Sequence, residues 1–488
     1  MNRAPGRGGP DRTDRPASAG EAPGTPAPDG ELAIVLHTHM PYVEGFGRWP
    51  FGEEWLWEAM AGSYLPLLDL LDAGAPVTLS VTPVLCDQLE ADGVPGRFRE
   101  FLTAVRRETH RLDAAELRAG GEEALAREVE RAAGDYESAL DRFESIGGDL
   151  VGGFAGHAAW TSSATHAVLP LCATDAGVRL QVVGGIDSHR ARFGAWGGGF
   201  WLPECAHAPW LDPLLGQAGV RACCVELTRE YGLGAVDHLR PVRPAGGPVL
   251  VPIDRATIDL VWHEHGYPAA GAYRDHHRHT TCRHRPWANH GGPYDHGRAL
   301  GLAGEHAADF VRRTRARLAG TGGLAVCAMD TEFLGHWWYE GIAWLEAVVA
   351  EASTQGLRVA RLDEALERHP PVSIDGADLP VGSWGAGGDL STWRGPAAAD
   401  LAFAARGAEL LALAAGGRAG DPAARELLAV QASDWAFLTT RAWAGDYPTD
   451  RVRAHAYELG RALAGDPGAG TAARNLAVHA GAAALREP

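Results

Sequence analysis

Two acidic residues follow short apolar runs, and the surroundings of each are suited to sugar chemistry. The run 322–329 is bounded by glycine and reads as a buried strand, with Asp330 and Glu332 at its carboxyl end. Adjacent aromatic residues follow at 337–339. An acid at the end of a buried parallel strand, close to aromatic rings, is typical of barrels that cleave glycosides. The alternative interpretation is that Asp330 caps a helix beginning near residue 337.

The second candidate acid is Glu204, which follows the glycine-rich apolar stretch 199–203. Pro203 restricts the backbone immediately before the acid and helps to aim its side chain. Glycoside cleavage needs two carboxyl groups with separate roles, so two acids at matching strand ends are stronger evidence than one. Glu204 and Asp330 are therefore the predicted catalytic pair.

Two histidines mark the end of the first apolar run, 32–36. His37 and His39 alternate along an extended chain, which would place both rings on one face of the sheet. They could bind a metal ion or donate hydrogen bonds to sugar hydroxyls. A His-x-His pair with no marked third ligand is a weak metal signal, so no metal site is predicted.

The composition favours a neutral, polyhydroxyl ligand over an anionic polymer. The 488 residues carry a net charge of −18, which disfavours nucleic acid as a partner. The 16 Trp outnumber the 12 Phe and the 10 Tyr, and Trp provides a large flat surface for sugar rings, although most Trp residues fill core volume. The sequence contains no Lys, which excludes a lysine nucleophile or Schiff base.

The seven cysteines and the N-terminal residues bear on the cellular location of the protein. The number of cysteines is odd and no C-x-x-C occurs, which is typical of reduced thiols in a cytoplasmic protein. No apolar run approaches the length of a membrane span, so no membrane partner is expected. Residues 1–30 are rich in Pro, Gly, Arg and Asp and lack an apolar core, which predicts a disordered tail and not a signal peptide. The oligomeric state is not addressed by the sequence.

Apolar runs alternate with helical stretches along residues 31–372, which predicts an α/β catalytic domain. Seven good strands, not eight, indicate an incomplete (β/α)7 barrel with polar and aromatic residues at its strand ends. The predicted strands are 32–36, 77–85, 158–165, the stretch before Glu204, 221–225, 248–253 and 324–329, with a further short strand at 357–360.

Three other regions complete the organisation. Residues 95–146 have helical periodicity and read as helices inserted after the second strand, with no catalytic role. Residues 263–306 hold nine of the 21 His, in spacings that match no zinc site, and are interpreted as a solvated loop. Residues 373–488 are rich in Ala, Leu, Arg and Glu and predict an all-helical C-terminal domain. Within it, Asp434 is either a helix N-cap or a polar group lining the cleft between the domains.

Taken in order, these motifs resemble glycoside hydrolase family 57 and, within it, the α-1,4-glucan branching enzymes. The resemblance covers roughly residues 31–465. The motifs that carry it are His37-Thr38-His39-Met40-Pro41-Tyr42, His166-Ala167-Val168-Leu169-Pro170-Leu171, Trp201-Leu202-Pro203-Glu204-Cys205, Asp330-Thr331-Glu332 with Gly335-His336-Trp337-Trp338, Ser383-Trp384-Gly385, and Ser433-Asp434-Trp435.

The resemblance implies a retaining mechanism on α-glucan without metal or other cofactor. Glu204 matches the family nucleophile and Asp330 the general acid/base, so that an α-1,4 bond is cleaved and an α-1,6 branch is formed. The other matching positions are expected to contact the bound sugar or line the glucan cleft; they are His37, His39, His166, Trp262, His336, Trp337, Trp384, Trp393 and Asp434.

One departure leaves the balance of transfer and hydrolysis open. The known branching enzymes of the family carry a long loop with a tyrosine at its tip, whereas the corresponding stretch 228–247 is short and its Tyr231 lies close to the strand end. The alternatives are an α-amylase or 4-α-glucanotransferase of the same family. Outside that class stand a metal-dependent sugar deacetylase, suggested by His37 and His39, and a glucan-binding protein without activity.

Overall fold

A curved sheet of ten strands forms the centre of the protein. The computed structural model describes residues 30–486, so nearly all of the predicted tail 1–30 lies outside the described residues. The strands are β1 Glu31–Thr38, β2 Val77–Val81, β3 Ala158–Ser162, β4 Gly199–Trp201, β5 Ala222–Val225, β6 Val242–Pro244, β7 Val249–Pro252, β8 Leu324–Asp330, β9 Arg358–Val359 and β10 Val372–Ile374.

Seven of these strands are parallel and run in the order β7-β5-β4-β3-β2-β1-β8. Just after β7, the amide of Asp254 donates to the carbonyl of Val326 in β8 at 2.8 Å, so the two ends of this path approach each other. β6 pairs antiparallel with β7, β10 pairs with β6, and β9 pairs with β1. The predicted incomplete (β/α)7 barrel is confirmed.

Three details of the strand prediction were wrong. The predicted strand 158–165 ends at Ser162. The predicted strand 77–85 ends at Val81, because Pro83 occupies the first turn of the helix Pro83–Leu89, where its missing N–H costs nothing. The three-residue strands β6 and β10 were not predicted, since runs this short carry no periodic signal.

Helices cover the sheet, and further helices follow its last strand in the C-terminal part of the chain. The α-helices are α1 Glu54–Ala59, α2 Leu65–Asp72, α3 Pro83–Leu89, α4 Val94–Glu100, α5 Arg107–Ala119, α6 Glu123–Ser145, α7 Leu150–Phe154, α8 Asp175–Phe193, α9 Asp212–Gln217, α10 Thr228–Tyr231, α11 Arg255–Trp262, α12 His296–Leu318, α13 Gly341–Gln355, α14 Leu362–Arg368, α15 Ser391–Arg394, α16 Ala399–Ala415, α17 Asp421–Val430, α18 Ser433–Arg441 and α19 Tyr447–Leu463. Within the described residues, no helix is long and apolar enough to cross a membrane.

The apolar strands explain why the sheet forms at the centre. All eight residues of β1 are buried, as are all five of β2 and the first six of β8, so these strands read as continuous apolar runs covered on both faces. The inserted helices α4, α5 and α6 pack beside the sheet, and α16 to α19 contribute to a second cluster of buried side chains. The polar side chains at the ends of the strands remain free to line a site.

Candidate active site

A cleft of about 650 Å³ opens at the carboxyl ends of the parallel strands. It lies between the barrel, the inserted helices α5 and α6, and the C-terminal helix α18. The predicted site residues that line it are His39, His166, Glu204, Trp262, Asp330, His336, Trp337, Trp384, Trp393 and Asp434. The sequence positions span almost four hundred residues, and the strand ends and α18 bring them together.

Glu204 is presented on a strained turn just after β4. Its backbone lies in the left-handed region with φ 63°, which costs a residue other than glycine about 1–3 kcal/mol. Trp384 holds this turn twice: its amide donates to the Glu204 carbonyl at 2.9 Å and its indole Nε1 donates to Oε2 at 2.8 Å. Burial raises the pKa of Glu204 to about 7, although the indole hydrogen bond opposes the rise.

Asp330 is the last residue of β8, in register with His37 on β1. The next residue, Thr331, shares a 2.7 Å hydrogen bond with Thr38, which fixes the strand ends relative to each other. Burial raises the pKa of Asp330 to about 8, and the charge of Glu204 adds to the rise. Asp330 and Glu204 both line the cleft.

Glu332 is a third carboxyl group in this part of the cleft and was not among the predicted site residues. Tyr64 Oη and the His39 amide both donate to its Oε1, the latter at 3.0 Å. Burial and the neighbouring Asp330 raise its pKa to about 8. The feature of the sequence that could have identified Glu332 as a site residue is its position two residues after Asp330. Three carboxyl groups placed this close together cannot all be ionised at neutral pH without strong repulsion.

A glycine permits the tight turn that follows these acids. Gly335 has φ 91°, and a Cβ at this position would lie 1.9 Å from the carbonyl oxygen of Gly62. The turn is closed by the Gly335 amide, which donates to the Trp338 carbonyl at 2.7 Å. It directs Trp337 into the cleft while Trp338 packs into the core.

The structure places His37, a predicted sugar contact, behind the cleft lining. Its side chain is only 1% exposed and is not part of the cleft lining. The ring stacks on Trp201 with centroids 4.5 Å apart, and its Nε2 shares a 2.9 Å hydrogen bond with Nε2 of His166. His37 therefore supports His166 from behind, because its ring is packed against those of Trp201 and His166.

His39 and His166 do face the cleft, stacked with centroids 3.8 Å apart. His39 Nε2 donates to Asp434 Oδ1 at 3.0 Å, and His166 Nδ1 shares a 2.8 Å hydrogen bond with Ser433 Oγ. Burial opposes a charge on His39, but the carboxylates of Asp434, Glu332 and Glu204 outweigh it and raise its pKa. The pKa of His166 is lowered by burial and by the charge on His39. Of the two imidazoles, that of His39 is therefore the easier to protonate, and His166 Nδ1 lies 3.8 Å from Glu204 Oε1.

Helix α18 supplies two of these partners, Ser433 and Asp434, from its first turn. The ring nitrogens of His39 and His166 and a carboxylate oxygen of Asp434 lie within 4.8 Å of one another, a spacing that could hold a metal ion. Each of the three is engaged in a hydrogen bond of the site, and His37, the other member of the His-x-His pair, is turned away. The hydrogen-bond partners of these groups are thus His39 and Asp434 for each other, and Ser433 and His37 for His166.

Aromatic rings form platforms along the cleft. Trp262, Trp337 and Trp443 are each about half exposed within it, as expected for surfaces on which sugar rings stack. Trp443 was missed because it follows α18 in a region with no motif of its own. Trp393 lines the cleft as well but is only 2% exposed, packed over Gly385, where a Cβ would lie 2.7 Å from its ring.

The interpretation of residues 263–306 as a solvated loop was wrong for its central part. The side chain of His284 is buried, with its ring 3.8 Å from that of His110 on α5. Thr280 Oγ1 donates to Asp113, also on α5, and His276 and His279 line the cleft. This segment therefore packs against the inserted helices and builds one wall of the cleft, so the insertion also reaches the site.

Tyr231 does not line the cleft. It ends the short helix α10, half-buried, with its ring 5.4 Å from that of His238. The stretch 228–247 continues into β6 and pairs with β7, so it contributes to the sheet and not to a cover over Glu204.

Comparisons with known proteins agree with this architecture. A family model described as glycosyl hydrolase family 57 matches residues 159–380, and a model described as the C-terminal region of 1,4-alpha-glucan branching enzyme matches residues 402–471. The chain is 32% identical over 512 residues to a 1,4-alpha-glucan branching enzyme of Thermococcus kodakarensis, across 88% of this chain and 73% of that protein.

Two further relatives extend the match. A probable 1,4-alpha-glucan branching enzyme of Mycobacterium tuberculosis is 32% identical over 518 residues, covering 93% of this chain and 95% of that protein. The crystal structure of a branching enzyme of the same family from Pyrococcus horikoshii superposes with a TM-score of 0.81 at 30% identity, covering 89% of this chain and 90% of that chain.

Proposed function

Because the chain belongs to glycosyl hydrolase family 57, we propose that it is a 1,4-α-glucan branching enzyme that works by retaining glycosyl transfer. The observation that carries the proposal is the match of the branching-enzyme C-terminal model to residues 402–471, a region whose Asp434 lines the same cleft as Glu204 and Asp330. This match favours branching over the α-amylase and 4-α-glucanotransferase alternatives.

In the proposed first step, Glu204 is ionised and attacks the anomeric carbon of an α-1,4-linked glucose unit. Asp330, which its raised pKa keeps protonated at neutral pH, donates its proton to the leaving oxygen. The chain fragment on the donor side is then held on Glu204 as a covalent glycosyl-enzyme. In this mechanism the carboxyl groups are expected about 5–5.5 Å apart.

In the second step, the 6-hydroxyl of an acceptor glucan gives its proton to Asp330 and attacks the glycosyl-enzyme, forming the α-1,6 branch. His39 and His166 are placed to hold the sugar unit beside Glu204, with His37 as a positioning residue behind them. Trp262, Trp337, Trp384, Trp393, Asp434 and His336 are proposed to line the glucan path.

Incubation of purified protein with amylose, followed by proton NMR, tests this function. We expect new α-1,6 signals to exceed new reducing ends, with Asp330→Asn protein as the inactive control. Reducing ends without α-1,6 signals would identify a hydrolase and contradict the proposal. Unchanged amylose would contradict the proposal and leave the glucan-binding and deacetylase alternatives.

The protein is further proposed to act in the cytoplasm on a glycogen-like α-glucan. All seven cysteines are free thiols, which is typical of a reducing compartment. Fractionation of the producing cells, with the activity assayed in each fraction, tests this location.

A further inference from the structure

The wall of the cleft formed by α5, α6 and the segment 274–285 is rich in arginine, and nearly all of its charge is internally matched. Three arginines on or beside this wall each pair with a glutamate of α1 or α6. The pairs are Arg283–Glu54 at 2.6 Å, Arg274–Glu128 at 2.5 Å and Arg106–Glu58. The acids of this wall are therefore already occupied.

Arg285 is the exception. Its guanidinium makes no hydrogen bond or ion pair with any residue that the structure describes, and its Nε is buried. Its only polar contact is through its carbonyl oxygen, which accepts from Arg274 Nη1 at 3.2 Å. Burial and the nearby cations Arg106 and Arg274 lower the pKa of Arg285 to about 10, which still leaves it charged at neutral pH. The charge of Asp275 offsets these effects in part, but no described acid forms an ion pair with Arg285. A half-buried cation without an ion-pair partner is costly to retain, so a role in binding would account for it.

Two histidines complete the surroundings of Arg285. Burial and the charge of Arg285 lower the pKa of His276 to about 2 and that of His336 to about 3, so both rings are neutral and each offers an N–H donor. Both line the cleft, and their rings lie 4.6 and 5.4 Å from that of Trp337, one of the half-exposed platforms. The cation and its two neutral neighbours thus face the same space as a bound sugar would.

We propose that Arg285, with His276 and His336, forms an oxyanion site in the cleft for a carboxylate or phosphate carried by the glucan. A guanidinium matches the two oxygens of such a group, and the neutral rings can supply further hydrogen bonds. The inference rests on the proposed function in that the cleft must bind glucan. Since the whole protein carries a net charge of −18, its overall field repels anions, and any preference for an anionic glucan must come from a local site.

Isothermal titration of Asp330→Asn protein, which cannot turn over its ligand, tests the site. The ligands are short amylose and the same amylose with a fraction of its 6-hydroxyl groups oxidised to carboxylates. We expect the oxidised chains to bind about tenfold more tightly at low salt, since hydrogen bonds to a charged group are worth more than those to a hydroxyl. This gain in affinity of the oxidised over the neutral amylose should shrink as the salt concentration rises.

Arg285→Gln should abolish the gain and leave the affinity for neutral amylose unchanged, which also shows that the variant folds. The matched control is Arg278→Gln, because Arg278 lies in the same segment, stacked on Trp287 at 4.1 Å, but outside the cleft lining. This control should keep the full gain. Equal affinities for the two amyloses, or a gain that survives Arg285→Gln, would overturn the proposal.

Titration with inorganic phosphate alone distinguishes the source of the anion. Binding of phosphate that Arg285→Gln removes would show that the site also takes a free anion, while absence of phosphate binding together with the oxidised-amylose gain would show that the anion must be carried by the glucan. Failure of neutral amylose to bind any variant would instead count against the proposed function.

Discussion

Acidic side chains line the cleft on two sides, but their partners differ. In the inserted-helix wall, Glu128 contacts the guanidinium groups of both Arg131 and Arg274. Around the strand ends, no arginine among residues 30–486 is a hydrogen-bond partner of Glu204, Asp330 or Glu332, and burial raises the pKa of each. In the inserted-helix wall the carboxylates form fixed ion pairs. At the strand ends, by contrast, three carboxyl groups can exchange protons near neutral pH.

This difference separates the structural acids from the chemical ones. A buried carboxylate that meets a guanidinium stays ionised and cannot donate a proton, so it serves to fix the wall. A buried carboxyl group with no guanidinium partner changes its protonation state more easily, which is what acid–base chemistry needs. The following predictions test the distinction, beginning with the largest expected effect.

Neutral replacements at the strand ends should abolish activity. We expect Glu204→Gln and Asp330→Asn each to lower kcat on amylose at least about 10³-fold with the fold retained, since each removes one of two groups that act as a unit. The matched control is Asp135→Asn, which neutralises a cleft-lining acid paired with Arg131. This control substitution should lower kcat less than tenfold. Equal losses for all three variants would contradict the distinction.

The pH dependence of kcat/KM on amylose should be bell-shaped with its maximum between about 7 and 8. Below pH 7, protonation of Glu204 removes the nucleophile, and above pH 8, ionisation of Asp330 removes the acid. On each limb, kcat/KM should fall by close to tenfold per pH unit. With Asp330→Asn and an activated aryl glucoside, the alkaline limb should disappear. An optimum near pH 4 would show that both carboxyl groups have ordinary pKa values.

The substitution Asp330→Asn should also stabilise the folded protein. Asp330 binds its proton more tightly in the folded state, with a pKa of about 8, than in the unfolded chain, where the value is 3.8. Stability is therefore lost as pH rises from about 4 to about 8. Asn carries no such charge, so Asp330→Asn should raise the free energy of unfolding by about 1–2 kcal/mol at pH 8, and by less at pH 5. Urea denaturation at both pH values measures this; destabilisation at pH 8 would show that the ionised Asp330 is well accommodated.

Removal of metal ions should have the smallest effect. Because His39 and Asp434 are hydrogen-bonded to each other and His166 to Ser433 and His37, we expect activity on amylose to be unchanged after treatment with EDTA. The control is a sample to which zinc is restored after chelation. Activity lost with EDTA and regained with zinc would assign these three residues to a metal site.

The sequence could predict most of the barrel because its central strands are buried on both faces. The run 324–329 became β8 Leu324–Asp330 almost unchanged, and the chemical residues at the strand ends were recognisable by type. The extension of the second strand through Pro83 failed because an apolar run does not distinguish a strand from the buried first turn of a helix.

The site was less predictable wherever it depends on how distant segments pack. Nothing local to His37 shows that its ring turns towards Trp201, and nothing local to Trp443 shows that α18 carries it to the cleft. Likewise, Arg285 differs from Arg274 and Arg283 in forming no ion pair, which is a property of the assembled wall and not of the segment.

The assignment of roles to the two acids can be tested by azide rescue with an activated aryl α-glucoside. In Asp330→Asn protein the first step still proceeds, because this leaving group needs little protonation, and azide should attack the β-linked glycosyl-enzyme to give the α-azide. In Glu204→Ala protein no intermediate forms, so azide should displace the leaving group directly and give the β-azide. The reverse pattern would exchange the roles of Glu204 and Asp330, and full activity in both variants without azide would place the catalytic site elsewhere.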